Sequence, residues 1–172
     1  MTILVTGATG TVGSEVVKQL VSSSSSSDHN NIVIRAAVHS QDKADKFKQY
    51  NKTVQIVNMD YNNPETIRDA LNHVDKLFLL TLPAPDMTDV YSNLVKEMRK
   101  YDGINHIVKL SSMDADTGFE TRIGLIHREE EKIIEESGIS FTFLSWFIYA
   151  KLKLLNSCSS FPKITQLMLY IS

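Results

Sequence analysis

The apolar residues of this chain gather into six short runs, at residues 2–6, 32–38, 54–58, 76–80, 106–110 and 139–144. Between consecutive runs the pattern changes to a helical period, at residues 14–20, 41–50, 66–72, 89–101 and 119–138. Short runs rich in β-branched residues are strands, and near-continuous apolar runs such as Lys76-Leu77-Phe78-Leu79-Leu80 belong to parallel strands covered on both faces. The alternation therefore predicts an α/β fold. Right-handed crossovers then build a doubly wound parallel sheet of the Rossmann type, in the strand order 3-2-1-4-5-6. No internal repeat interrupts the series.

The first strand runs directly into Gly7-Ala8-Thr9-Gly10-Thr11-Val12-Gly13 and then into a helix. In such a turn the first glycine lets the backbone leave the strand sharply, and the second removes a Cβ that would meet a pyrophosphate. The third lets the helix pack closely on the strand. The helix N-terminus offers free N–H groups and a positive dipole end to the phosphates. The spacing is G-x-x-G-x-x-G, and its place between a buried strand and an amphipathic helix points to a nucleotide cradle more than to a bare turn.

Composition narrows the setting. A chain of 172 residues is long enough for one domain with a real core. The net charge of −2, with basic residues scattered, gives no footprint for nucleic acid, and the single Cys158 excludes an internal disulfide and suits a reducing compartment. With the first strand beginning at Thr2, a cytoplasmic location is expected. The apolar run 141–150 is too short to span a membrane. The six-serine tract Ser22 to Ser27 reads as a solvated loop at the edge away from the ligand.

Cofactor choice is made where the second strand ends, in Val38-His39-Ser40-Gln41-Asp42-Lys43. No acid follows the strand directly to take a ribose 2′-hydroxyl, so NADP is favoured over NAD. His39, Ser40 and Lys43 are candidates for its 2′-phosphate. His39 also reads as a plain polar strand-end residue. Asp60, after the third strand, fits either an acceptor for a ligand or a turn cap ahead of Asn63-Pro64.

The segment from Ile3 to Gly13 resembles the opening of the NmrA-like branch of the atypical short-chain dehydrogenase/reductases. A second match, from Gly124 to Thr142, resembles the His-containing helix and following strand of its NAD(P)H:quinone oxidoreductase-like members. The resemblance implies an NADP(H)-binding oxidoreductase for a quinone or related carbonyl compound. A non-catalytic redox sensor with a regulatory protein partner is the second reading that it allows, and a truncated, inactive product, motivated by the loss of the family pattern after Leu144, is the third. It implies cofactor contacts from Asp60 to the adenine, and from Thr81, Leu82 and Pro83 on the ribose and nicotinamide side, although the prolines equally make a rigid loop exit. Where the family carries Arg, this chain has His39, a weaker phosphate partner.

The resemblance also implies catalytic candidates. Ser112, of the pair Ser111-Ser112, stands where short-chain reductases keep a serine. His127 and Glu131 stand where they keep Tyr and Lys at i and i+4. An imidazole beside a carboxylate is a plausible acid. The competing reading is a surface i,i+4 pair on a helix whose acidic run Glu129-Glu130-Glu131 is a solvated face. After Leu144 the family pattern stops. Residues 1–145 are expected to form the dinucleotide-binding domain and 146–172 a divergent tail, with the substrate lobe missing or vestigial.

Overall fold

The computed structural model describes residues 1–24, 32–39, 44–50, 53–81, 87–101, 103–112, 115 and 121–145. Within them, strands β1 (Thr2–Val5), β2 (Val33–Val38), β3 (Val54–Asn58), β4 (Lys76–Leu79), β5 (His106–Ser111) and β6 (Ser140–Ser145) form one parallel sheet. Its order is β3-β2-β1-β4-β5-β6, the order expected from the alternating pattern. Helices α1 (Thr11–Ser24), α2 (Pro64–Leu71), α3 (Met87–Met98) and α4 (Arg122–Glu135) make the crossovers, with a 3-10 helix at Asp45–Tyr50 before β3.

Because side chains alternate along a strand, each strand feeds two cores. Ile3, Val5, Ile34, Ala36, Phe78 and Val108 pack with Val16, Val17 and Leu20 of α1 and Phe47 of the 3-10 helix. Leu4, Leu77, Leu79 and Ile107 pack on the other face with Ile67 and Leu71 of α2 and with Leu94, Val95 and Met98 of α3. Burying each of these side chains larger than alanine contributes about 1.5 to 3 kcal/mol before the entropy of ordering is subtracted. Asn63 caps α2 by accepting from the Glu65 N–H at 3.0 Å, with Pro64 in the first turn where its missing N–H costs nothing.

Three expectations change. Helix α1 does not stop before the serines but runs through Ser24. The hydroxyls of Ser22 and Ser24 donate back to the carbonyls of Lys18 and Val21, at 3.0 and 2.8 Å, so the first three serines complete a last helical turn, while Ser25 to Ser27 lie outside the described residues. The charged helix expected at residues 41–50 is a 3-10 helix beginning at Asp45. On α4 the expected apolar stripe of Ile123, Ile126, Ile133 and Ile134 is rotated away. Only Ile134 of that set is fully buried, and Ile123 is 51% exposed. The face that meets the sheet carries Gly124, Glu130, Glu131 and Ile134, with His127 half-buried.

Candidate active site

The carboxyl ends of β1, β4 and β5 meet at one edge of the sheet. The glycine turn leaves β1 there. Gly7 adopts φ +57°, a conformation that side chains other than glycine's resist, and a Cβ on it would lie 3.1 Å from the Leu80 Cβ. A Cβ on Gly13 would lie 2.3 Å from the Gly7 carbonyl oxygen, so the helix reaches the strand only because that atom is absent. Gly10 is different. A Cβ there would meet only the Gly7 oxygen, at 3.3 Å, so little in the protein demands a glycine at this position. The first turn of α1 carries no acidic side chain, and its leading N–H groups have no acceptors within the helix. Lys46 brings a cation to the same loop, its Nζ donating to the Thr9 carbonyl at 2.6 Å. A cradle lined by N–H groups, open above Gly10 and flanked by a lysine, fits the pyrophosphate of a dinucleotide.

Beside it, Thr6 ties β1 to the end of β4. Its hydroxyl accepts from the Leu80 N–H at 2.8 Å and donates to the Leu80 carbonyl at 3.0 Å. Tyr61 also donates to the Leu80 carbonyl, at 3.3 Å, and burial pushes its phenol up to about 12.

A polar cluster lies underneath, between β5 and α4. On the face of β5 that α4 covers stand Ile107, Lys109 and Ser111, so the strand turns from apolar to polar toward its carboxyl end. Lys109 and Glu130 have fully buried side chains and pair at 2.9 Å. The Lys109 ammonium also donates to the Leu110 carbonyl at 3.2 Å and lies 2.8 Å from Nδ1 of His127. His127 Nδ1 is 3.3 Å from the same Glu130 oxygen, Oε2, which also accepts from the Thr81 hydroxyl at 3.0 Å. Ser111 donates to Glu131 at 2.5 Å, and Arg128 holds the other oxygen of Glu131 at 3.2 Å. Glu130 Oε1 and the Tyr91 hydroxyl are buried without a hydrogen-bond partner among the described residues.

The acidic run is therefore not a solvated face. Of its three residues only Glu129 is exposed, because Lys109 and Ser111 supply the other two with partners inside. Nor is Glu131 the partner of His127. Its oxygens are taken by Ser111 and Arg128, and Glu130, at i+3, faces the imidazole.

Burial pulls Lys109 below the usual lysine range, an effect that Glu130 and Glu131 only partly offset. Burial alone would raise Glu130, but the neighbouring imidazole and ammonium outweigh it and hold the carboxyl below its ordinary 4.5. Burial, together with the negative charge of Glu130, raises Tyr91 well above the ordinary phenol. The sign for stability follows from Glu130. A carboxyl depressed in the folded state contributes stability that is complete above the unfolded value of 4.5 and is lost as pH falls through the folded value. Melting temperatures recorded from pH 7 down to pH 3 should fall below about pH 4.5, and less steeply for Glu130→Gln.

Gly7, Ala8, Thr9, Gly10, Thr11, Val12 and Gly13 form the turn and the start of α1, and His39 is exposed at the end of β2. Asp60 makes a local turn, its Oδ1 accepting from the Asn62 N–H at 2.9 Å, while the helix cap itself is Asn63. Thr81 is buried against Glu130. Of the serine pair, Ser111 is buried and Ser112 is half-exposed just past β5. Ser40, Lys43, Leu82, Pro83 and the tail 146–172 lie outside the described residues. Sequence reasoning missed Lys109, Glu130 and Lys46. The first of these had a visible signal, a lysine set between Ile107-Val108 and Leu110 inside a buried strand.

Residues 7–149 match the family model described as NAD(P)H-binding. The chain is 32% identical over 142 residues to an NAD(P)H azoreductase of Xenophilus azovorans, covering 83% of this chain and 46% of that protein. It is 27% identical over 159 residues to an NmrA-like family domain-containing oxidoreductase of Aspergillus flavus, covering 88% of this chain and 49% of that protein. Among solved structures, the NADPH-dependent quinone oxidoreductase QOR2 of Escherichia coli, complexed with NADPH, superposes with a TM-score of 0.68 at 27% identity. That match covers 83% of this chain and 48% of the other. The chain thus spans about half the length of the relatives it matches. With the glycine cradle, the sheet order and a family match over most of its length in agreement, the chain belongs to the NAD(P)H-binding family, with NmrA-like and quinone oxidoreductase homologues.

Proposed function

We propose that this chain binds NADPH in preference to NADH and forms the cofactor half of a reductase for a quinone or related carbonyl compound. The observation that carries the reading is the placing of His127 beside the carboxyl ends of β4 and β5, the sheet edge that also holds the glycine cradle. The N–H groups of the first turn of α1 would hold the pyrophosphate, and Asp60 would receive the adenine amino group. His39, Ser40 and Lys43 would supply positive or donating groups for the 2′-phosphate, Lys46 standing beside the pyrophosphate cradle, and the absence of an acid directly after β2 removes the usual partner of a bare ribose. Thr81, Leu82 and Pro83 border the ribose and nicotinamide.

The bound reduced nicotinamide supplies the hydride. His127 donates a proton to the acceptor oxygen from Nε2, the ring nitrogen that has no partner among the described residues. Ser112 orients that oxygen by hydrogen bonding. The named activities of the azoreductase and quinone oxidoreductase relatives support a flat, conjugated acceptor.

A thermal melt tests the cofactor reading. At about 100-fold excess over Kd, NADPH should stabilise the chain by about 2.7 kcal/mol, roughly 5 to 10 °C, with a smaller rise for NADH. Equal shifts would remove the preference, and no shift would remove the binding site. Oxidation of NADPH with a panel of quinones and azo compounds tests the reaction.

A further inference from the structure

We propose that Lys109 is the positioning and proton-supplying residue behind His127, fixing the imidazole as its Nε2–H tautomer and replacing the proton that Nε2 gives away. This rests on the reading of His127 as the acid.

Nδ1 faces both the Lys109 ammonium and Glu130 Oε2, and the shorter contact, to Lys109, favours one assignment of protons. An ammonium has three N–H donors and no acceptor. Lys109 Nζ has three acceptors around it: the Leu110 carbonyl at 3.2 Å, Glu130 Oε2 at 2.9 Å and His127 Nδ1 at 2.8 Å. A proton on Nδ1 would point at one of those donors. The competing acceptor for such a proton, Glu130 Oε2, is farther at 3.3 Å and already receives Lys109 and the Thr81 hydroxyl. Nδ1 is therefore bare and accepts from Lys109, and Nε2 carries the hydrogen. Glu130 keeps the ammonium charged in a buried place, and Glu131, the other buried carboxylate of α4, is engaged by Ser111 and Arg128.

The step balances. The acceptor gains a hydride from the bound dihydronicotinamide and a proton from Nε2, so that an N–H bond breaks at Nε2 and an O–H bond forms on the acceptor. In the same event an Nζ–H bond of Lys109 breaks and an Nδ1–H bond forms. The imidazole ends neutral as its other tautomer, and Lys109 ends as an amine. Water reprotonating Nε2 sends the Nδ1 proton back to Lys109 and resets the pair. The arrangement differs from a tyrosine and lysine on one helix, because the cation comes from strand β5.

The test is the long-range proton–nitrogen NMR spectrum of the histidine rings at neutral pH, with His127 assigned by its loss in His127→Gln. A bare Nδ1 and a protonated Nε2 are expected, and the reverse pattern overturns the proposal. In Lys109→Met the competing donor is gone, and the proton should move to Nδ1 to meet Glu130. An unchanged tautomer in a folded variant would show that Lys109 does not set it. Should that variant fail to fold, the spectrum of the unaltered chain still decides. Where turnover is measured, Lys109→Met should lower kcat at least tenfold with KM within twofold, and an unchanged kcat overturns the proton supply. Failure of the underlying reading appears separately, as a melt that NADPH does not shift or as His127→Gln leaving turnover intact.

Discussion

A Lys109→Met variant is expected to melt roughly 10 °C below the unaltered chain. The substitution preserves length and apolar packing but leaves the Glu130 carboxylate in a fully buried place with only the Thr81 hydroxyl and the imidazole for partners. Removing one member of a buried ion pair costs about 3 to 5 kcal/mol, because the remaining charge has lost its water and its counter-charge. In a domain of this size each kcal/mol moves the melting point by about 2 to 4 °C. The double variant Lys109→Met/Glu130→Gln removes the orphaned charge and should recover most of the loss. Additive losses would mean that the two side chains act independently, and a single variant as stable as its parent would mean that the pair is not buried as described.

The glycine turn gives the second large effect. Gly13→Ala should cost about 3 kcal/mol and abolish stabilisation by NADPH. Its Cβ would lie 2.3 Å from the Gly7 oxygen and 2.8 Å from both the Gly7 carbonyl carbon and the Ala8 Cα, all of them backbone atoms that cannot rotate aside. Either α1 moves off β1 or the turn deforms, and both displace the N–H groups of the cradle. Gly10→Ala is the informative contrast. Its Cβ meets one carbonyl oxygen at 3.3 Å, so the free protein should melt within a few degrees of its parent, yet the methyl occupies the space over the loop and should remove the NADPH shift. A Gly10→Ala chain that NADPH still stabilises would place the pyrophosphate elsewhere.

The sheet and its order were legible because they rest on local signals, apolar runs alternating with helical periods and a glycine triplet between Val5 and Ser14. The polar cluster was not, because it is made by packing. Glu129-Glu130-Glu131 reads as a charged surface until α4 is laid on β5, when the turn of the helix sends Glu130 and Glu131 inward to Lys109 and Ser111. The same rotation explains why Ile123 and Leu125, apolar by type, are each 51% exposed. Lys109 broke the apolar run at the middle of its own strand. A buried lysine needs a buried acid, and α4 holds the acids that pack against that strand. The serine tract misled for a different reason. Composition describes what a segment cannot bury, but a serine that bonds its own backbone can still extend a helix.

The central strand β1 pairs with β2 on one side and with β4 on the other, and Thr6 finds its partner at Phe78, 72 residues along the chain. At ribosomal rates of about 5 to 20 residues per second, the nascent chain waits roughly 4 to 14 seconds between making the first half of that pairing and the second. Throughout that interval the central strand of the sheet has an edge open. The cost of placing the glycine cradle on the middle strand is thus borne during synthesis, as a period in which β1 can pair with a neighbour's edge, and one that slower translation lengthens.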